Sequence, residues 1–176
     1  MSSLDNLSAD HFYWLDLAEE YFKDDGLNGR TIPVRAAERF PEIQGEFNDM
    51  ESMYELEPEN VAEPLMAIYG ESGEMEGFYL ERIEGTTLRD YILENGAGEE
   101  LIDEVESALE TFHENGLVHG DLEGNILYSP EEGIKIIDPV GAGKSHERFD
   151  ALKKLDKEDV QMYRNFLEKI RNADYL

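Results

Sequence analysis

The chain has 176 residues and no cysteine, and its 42 acidic residues stand against 15 lysines and arginines, a net charge of −27. The length fits one domain or one small two-part unit, and 40% hydrophobic residues suffice for a packed core. The missing cysteines exclude disulfide frameworks, thiolate zinc sites and cysteine nucleophiles, and the charge argues against nucleic acid and anionic membranes as partners.

Ser8 can cap a first helix with Trp14, Leu15, Ala18, Tyr21 and Phe22 on one stripe, ending near Asp25-Gly26. GRTIPVRAAERF predicts a strand, edge or irregular because of Pro33. Residues 42–56 predict a helix with Phe47, Met50, Met53, Tyr54 and Leu56 on or near one face. The apolar runs VAEPLMAIYGE and EGFYLERI, joined by SGEM, predict a hairpin. TTLRDYILENG opens on Thr and closes on Gly, a short capped helix.

GEELIDEVESALETFHENG spaces Leu101, Val105, Ala108 and Phe112 by four, three and four, an amphipathic helix ended by Gly116. NILYS and GIKIID predict two short strands around PEEG. LDKEDVQMYRNFLEKIRN predicts a last helix that starts at Asp156, with Asp159 completing a capping box. It buries Val160, Tyr163, Phe166, Leu167 and Ile170. The class is α+β, strand-rich first and helical afterwards, with no internal repeat and no low-complexity linker.

The acid is spread along the chain instead of gathering in a tail, which speaks against a disordered acidic segment. Dispersal in high salt is the ordinary explanation of such a surface, and mimicry of DNA is the sharper one. The opening residues MSSLDNLSADHF have neither the basic nor the apolar region of a signal peptide. No apolar run approaches the roughly 20 residues of a membrane helix. A soluble, cytoplasmic protein is the expectation.

Chemistry concentrates in HGDLEGNILY, His119 to Tyr128. Asp121 follows the amphipathic helix, Asn125 leads into a strand, and Asp138 ends the next strand. Two carboxylates and an amide oxygen, presented from the ends of one hairpin, suit a hard cation that keeps several waters. Phosphoryl transfer asks for such a set: a carboxylate to orient the acceptor hydroxyl, oxygen ligands for Mg²⁺, a cation on the phosphates and a cleft for the base. Singly, each residue reads as an ordinary turn residue; only the combination points to chemistry.

FHENGLVHGDLEGNIL followed by GIKIID resembles the catalytic and metal-binding segments of the protein-kinase-like superfamily, and FYLERIEGTTLRDYI resembles its strand, hinge and following helix. The resemblance runs in order over residues 32–172 and is strongest over 78–138. It implies a reduced two-lobed kinase-like fold forming a single domain over 1–176. A small sheet-containing N-lobe with an extra N-terminal helix would span 1–83, and a truncated, mainly helical C-lobe 84–176. Gly120 in HGDL, the short stretch after Asp138 and DKEDVQMYRNFL are similar to RIO-type small kinases. Aminoglycoside phosphotransferases and lipopolysaccharide-core kinases are the second choice.

The resemblance assigns Asp121 as catalytic base and Asn125 and Asp138 as Mg²⁺ ligands. For ATP it implies hinge contacts through the Glu81 carbonyl and the Ile83 amide, with Leu80 lining the adenine pocket. Three departures accompany it. Gly26, Gly29 and Gly45 make no glycine-rich nucleotide loop. No lysine stands where the phosphate-binding one belongs; Arg35 in IPVRAAERF takes its place as a weaker clamp, with Asp49, or Glu46 one turn earlier, as carboxylate partner. Arg35 as a plain solvated cation remains the alternative.

The third departure is the step from Asp121 to Asn125, four positions where the family has five. Gly124 can adopt backbone angles closed to other residues and let the loop close short. GAGKS at 141–145 resembles the end of a Walker A loop, but the pattern needs a glycine where Asp138 stands. Lys144 therefore reads as a loop residue first and a phosphate contact second. The expected function is ATP- and Mg²⁺-dependent phosphoryl transfer to a hydroxyl of an unknown protein or small-molecule acceptor. The alternative is a pseudokinase, a nucleotide-binding or scaffold module.

Overall fold

The computed structural model describes residues 31–35, 40–70, 73–140 and 146–173, with the backbone alone at 31–35, 40–43, 76, 146 and 147. The helix expected after Ser8 and the GAGKS segment with Lys144 lie outside the described residues. Those described form an α+β structure of four helices and two three-stranded antiparallel sheets. In chain order they are β1 Thr31–Arg35, α1 Phe40–Leu56, β2 Pro64–Tyr69, β3 Met75–Glu81, β4 Thr86–Thr87, α2 Leu88–Asn95, α3 Glu99–Glu114, β5 Ile126–Ser129, β6 Gly133–Ile136 and α4 His146–Ala173. None of these helices is long and apolar enough to cross a membrane.

The first sheet runs β1-β3-β2. Pro33 therefore sits in an edge strand, where its missing N–H costs least. The second sheet runs β4-β5-β6, and its two-residue β4 was not foreseen, because Thr86 and Thr87 read from sequence only as a helix start. Thr87 does both jobs. Its backbone pairs with Leu127, and its hydroxyl caps α2 by accepting the Asp90 N–H at 3.1 Å and donating to Asp90 Oδ2 at 2.8 Å. Gly96 ends that helix in the left-handed region, as its position after the last apolar residue predicts.

One core joins the two sheets. It gathers Met50 and Met53 of α1, Phe78 and Leu80 of β3, Ile92 of α2, Val105 and Phe112 of α3, Ile126 and Ile136 of the second sheet, and Val160 and Leu167 of α4. The helical spacing of Val105, Ala108 and Phe112 is what turns them inward together. Between the sheets, the segment after α1 is bonded to β6: the Ile136 N–H donates to Asn60 O at 2.7 Å and the Ala62 N–H to Ile136 O at 3.2 Å. Lys135 adds a bond from Nζ to the Pro58 carbonyl at 3.2 Å. The start of β2 is thus tied to the hairpin that carries Asn125 and leads to Asp138.

The last helix departs from expectation. Instead of starting at Asp156, α4 starts at His146, so Asp156 and Asp159 are interior residues and form no capping box. The run DALKKLDKE contains good helix formers and no breaker, and nothing local stops the helix there. Asp156 earns its place in the interior through partners from elsewhere in the chain.

Candidate active site

Helix α3 ends in a Schellman arrangement: the Gly116 N–H donates to His113 O and the Leu117 N–H to Phe112 O, with Gly116 at φ +78°. The chain is thereby turned sharply into the loop that carries His119, Gly120 and Asp121. That loop has few ladder bonds of its own, and side chains supply what it lacks.

Asp156 is fully buried and accepts three bonds. Its Oδ1 takes the Gly120 N–H at 2.6 Å, and its Oδ2 takes the His119 N–H at 3.1 Å and the His113 ring Nε2 at 2.8 Å. A buried carboxylate is tolerable when hydrogen bonds replace its water, and here two come from the loop backbone. Gly120 has φ +83°, and a Cβ there would lie 2.6 Å from Val140 Cγ2 and 2.7 Å from Leu152 Cδ2. The positive φ favours glycine, and a larger residue would also have to push the Val140 and Leu152 side chains aside.

His119 is a strut between the two acidic residues. Its fully buried ring donates from Nε2 to the Ile137 carbonyl at 2.7 Å and accepts the Asp121 N–H at Nδ1 at 3.3 Å. These partners select the neutral Nε2–H tautomer. Burial lowers the imidazole pKa, against smaller opposing effects of the Ile137 carbonyl and of Asp156 and Asp121, and so keeps the ring uncharged. The strut links the backbone of Asp121 to that of the residue before Asp138, and the Val140 N–H returning to His119 O at 2.9 Å closes the strap.

Leu122 to Asn125 form a tight turn closed by the Asn125 N–H on Leu122 O at 3.1 Å, with Gly124 at φ +86°. The shortened step thus closes through the glycine. Asn125 Nδ2 donates to the Asp121 carbonyl at 2.9 Å, which leaves its Oδ1 as the group available to a cation. Asp121 itself is exposed.

Asp138 is the strained member. It is the one non-glycine residue with positive φ among the described residues, at +54°, and its Oδ1 is buried without a hydrogen-bond partner. Burial foremost, and then the charge of Asp121, raises its carboxyl pKa above the ordinary range. Two carboxylates close enough to repel, one of them with an unsatisfied oxygen, fit a cation between or beside them. No trio of His, Cys, Asp or Glu among the described residues is gathered to enclose a metal.

The other expected residues are more dispersed. Arg35 ends β1 opposite Gly77, and its side chain lies outside the description. Asp49 is a half-buried residue of α1. Leu80 is 1% exposed within the core. Glu81 bonds back to Glu63, the residue before β2, its N–H donating to Glu63 O at 2.9 Å and its Oε2 accepting the Glu63 N–H at 3.3 Å. Ile83 follows it, half-buried against the core. A separate cavity of about 290 Å³ borders the loop at Glu123 and is lined by Arg89, Met162, Tyr163, Phe166 and Lys169; it does not include Asp121, Asn125 or Asp138.

Sequence reasoning missed the roles of Asp156 and His119, and those of Asp159 and Tyr163, which reach the backbone of Leu122. One signal was available: Asp156 falls on the stripe of Val160, Tyr163 and Leu167, and an acid on an apolar stripe needs buried partners. No protein-family model matches the chain.

Proposed function

We propose that this chain is an ATP- and Mg²⁺-dependent phosphotransferase with a reduced two-lobed kinase-like fold, related in kind to RIO-type small kinases. The observation that carries the reading is Asp138: a strained, half-buried carboxylate with an orphaned oxygen, raised in pKa partly by Asp121, whose backbone is strapped to that of Asp121 through His119. Backbone strain and an unsatisfied carboxylate oxygen cluster at sites where a ligand completes the structure.

In this reading Asp138 and the Asn125 Oδ1 hold Mg²⁺, which would neutralise charge on the phosphates of ATP. Asp121, exposed and held by backbone bonds, orients the acceptor hydroxyl and accepts its proton. Its exposure leaves the carboxylate accessible to an acceptor hydroxyl, as a base requires. Arg35 clamps phosphate with Asp49 behind it, and the Glu81 carbonyl and Ile83 amide meet the adenine edge beside Leu80. The acceptor is a hydroxyl of a protein or a small molecule, and the acidic surface disfavours nucleic acid.

A pseudokinase is the second reading, favoured by the absence of a glycine-rich loop and by Arg35 where a lysine belongs. Asp121→Asn separates the two. It should leave nucleotide affinity near wild type and cut phosphoryl transfer by about 10²-fold or more. Wild-type protein that binds nucleotide, transfers nothing and is indifferent to Asp121→Asn would select the pseudokinase.

A further inference from the structure

The turn between Asp121 and Asn125 is gripped from outside the loop. The Leu122 N–H donates to Asp159 Oδ2 at 3.0 Å, and the Leu122 carbonyl accepts the Tyr163 hydroxyl at 3.2 Å. That carbonyl is also the acceptor that closes the turn with the Asn125 N–H. The Leu122 side chain is fully buried in the core. Asp159 and Tyr163 are four apart on α4, so they are neighbours on one helix face. Leu122 is thus held at its N–H, its carbonyl and its side chain, while Glu123 and Gly124 beyond it are exposed.

A turn closed by one backbone bond and containing a glycine opens readily in water, since that bond is in constant exchange with solvent. Asn125 is anchored on the far side, where its carbonyl accepts the Ile137 N–H at 3.0 Å, so if this turn opened, its separation from Asp121 would rest on the Asn125 Nδ2 bond to the Asp121 carbonyl alone. The carboxyl of Asp159 is itself held above the ordinary range, by burial first and then by Asp156, Asp121 and Glu123, while the Leu122 N–H draws it down. An acid kept among acids is compensated by that contact.

We propose that Asp159 and Tyr163 are positioning residues: by clamping Leu122 they let the shortened loop hold Asp121 and Asn125 at one fixed separation. The functional part rests on the phosphotransfer reading; the clamp is a statement about the order of the loop. Unlike Asp156, which fixes the approach to Asp121, the clamp fixes the departure from it.

The test is amide hydrogen exchange at Leu122, read alongside phosphoryl transfer and Mg²⁺-dependent nucleotide affinity, in Asp159→Ala, Asp159→Asn and Tyr163→Phe. Asp159→Ala should speed Leu122 exchange by roughly tenfold to a hundredfold and lower turnover by about tenfold. Asp159→Asn keeps an acceptor oxygen and should restore both. Tyr163→Phe keeps the packed ring, so it carries the test if Asp159→Ala does not fold; its exchange at Leu122 should also quicken.

Unchanged Leu122 exchange in Asp159→Ala, or in Tyr163→Phe if only that variant folds, overturns the clamp. Faster exchange with turnover unchanged in an active protein overturns its positioning role. A wild type that neither binds nucleotide nor transfers phosphate defeats the phosphotransfer reading alone, and exchange still decides whether the clamp exists.

Discussion

Gly120 donates its N–H to Asp156 Oδ1 at 2.6 Å, at a point where an added Cβ would press on the Val140 and Leu152 side chains. Asp156→Ala would strand the His119 and Gly120 N–H groups and the His113 ring nitrogen together. At ~1–3 kcal/mol for each buried group left unpaired, the expected loss is ~3 kcal/mol or more. Gly120→Ala, with two contacts under 3 Å and positive φ, should cost ~2 kcal/mol or more. Denaturant midpoints measure both, and midpoints equal to wild type would contradict the assigned packing.

Asp138 gives a pH dependence with a definite sign. Its folded pKa is raised, so ionisation penalises the folded state fully above that raised value. The penalty is relieved as pH falls from the raised value to the ordinary carboxylate value of ~3.9. Metal-free wild type should therefore gain stability relative to Asp138→Asn as pH falls through that window. At neutral pH Asp138→Asn should melt above metal-free wild type, and the difference should shrink as the solution is acidified. Parallel stability profiles for the two proteins would deny the burial of this carboxylate.

Gly124→Val tests the short loop. Nothing lies within 4 Å of an added Cβ, so the cost comes from φ +86° alone, ~1–2 kcal/mol. The variant should fold yet lose Mg²⁺-dependent nucleotide affinity as Asn125→Ala does, whereas Gly124→Asn, which tolerates the left-handed region, should lose less. Calorimetric titration distinguishes them, and equal affinity in all three variants and wild type would remove the turn from the site.

The net charge of −27 predicts strong stabilisation by salt. The screening length shrinks from ~30 Å at 0.01 M to ~3 Å at 1 M, so self-repulsion across the surface should fall steeply. The clamps between α3 and α4, Arg164 to Asp103 and Glu106 and Arg171 to Glu99, are exposed enough to weaken over the same range, but they offset only part of the gain. A melting temperature flat in salt would contradict adaptation of this surface to high salt.

Local signals in the sequence carried far. The Thr87 cap, the Gly96 and Gly116 stops and the Val105, Ala108 and Phe112 part of the α3 stripe each depend on residues within a few positions of one another, and each stands where the sequence places it, whereas Leu101 is only partly buried and Ile102 turns inward. Gly124 was legible for the same reason. The capping-box reading of Asp156 and Asp159 failed because their partners lie 36 to 43 positions away, in the loop and at the end of α3. β4 was hidden for the same kind of reason: its two residues pair with Leu127 and Tyr128 and have no strand pattern of their own. The orphaned oxygen and positive φ of Asp138 are properties of the packed site, which spacing alone cannot express.

The most direct test of a nucleotide site built on Asp138 is thermal stabilisation by ATP, measured with and without Mg²⁺ in wild type and Asp138→Asn. A ligand that binds only the folded state adds ~2.7 kcal/mol at about 100 times its dissociation constant. ATP with Mg²⁺ should raise the wild-type melting temperature by roughly 5–10 °C at that saturation, and Asp138→Asn should abolish the Mg²⁺-dependent part. A flat response to millimolar ATP and Mg²⁺ in folded wild-type protein would contradict the account.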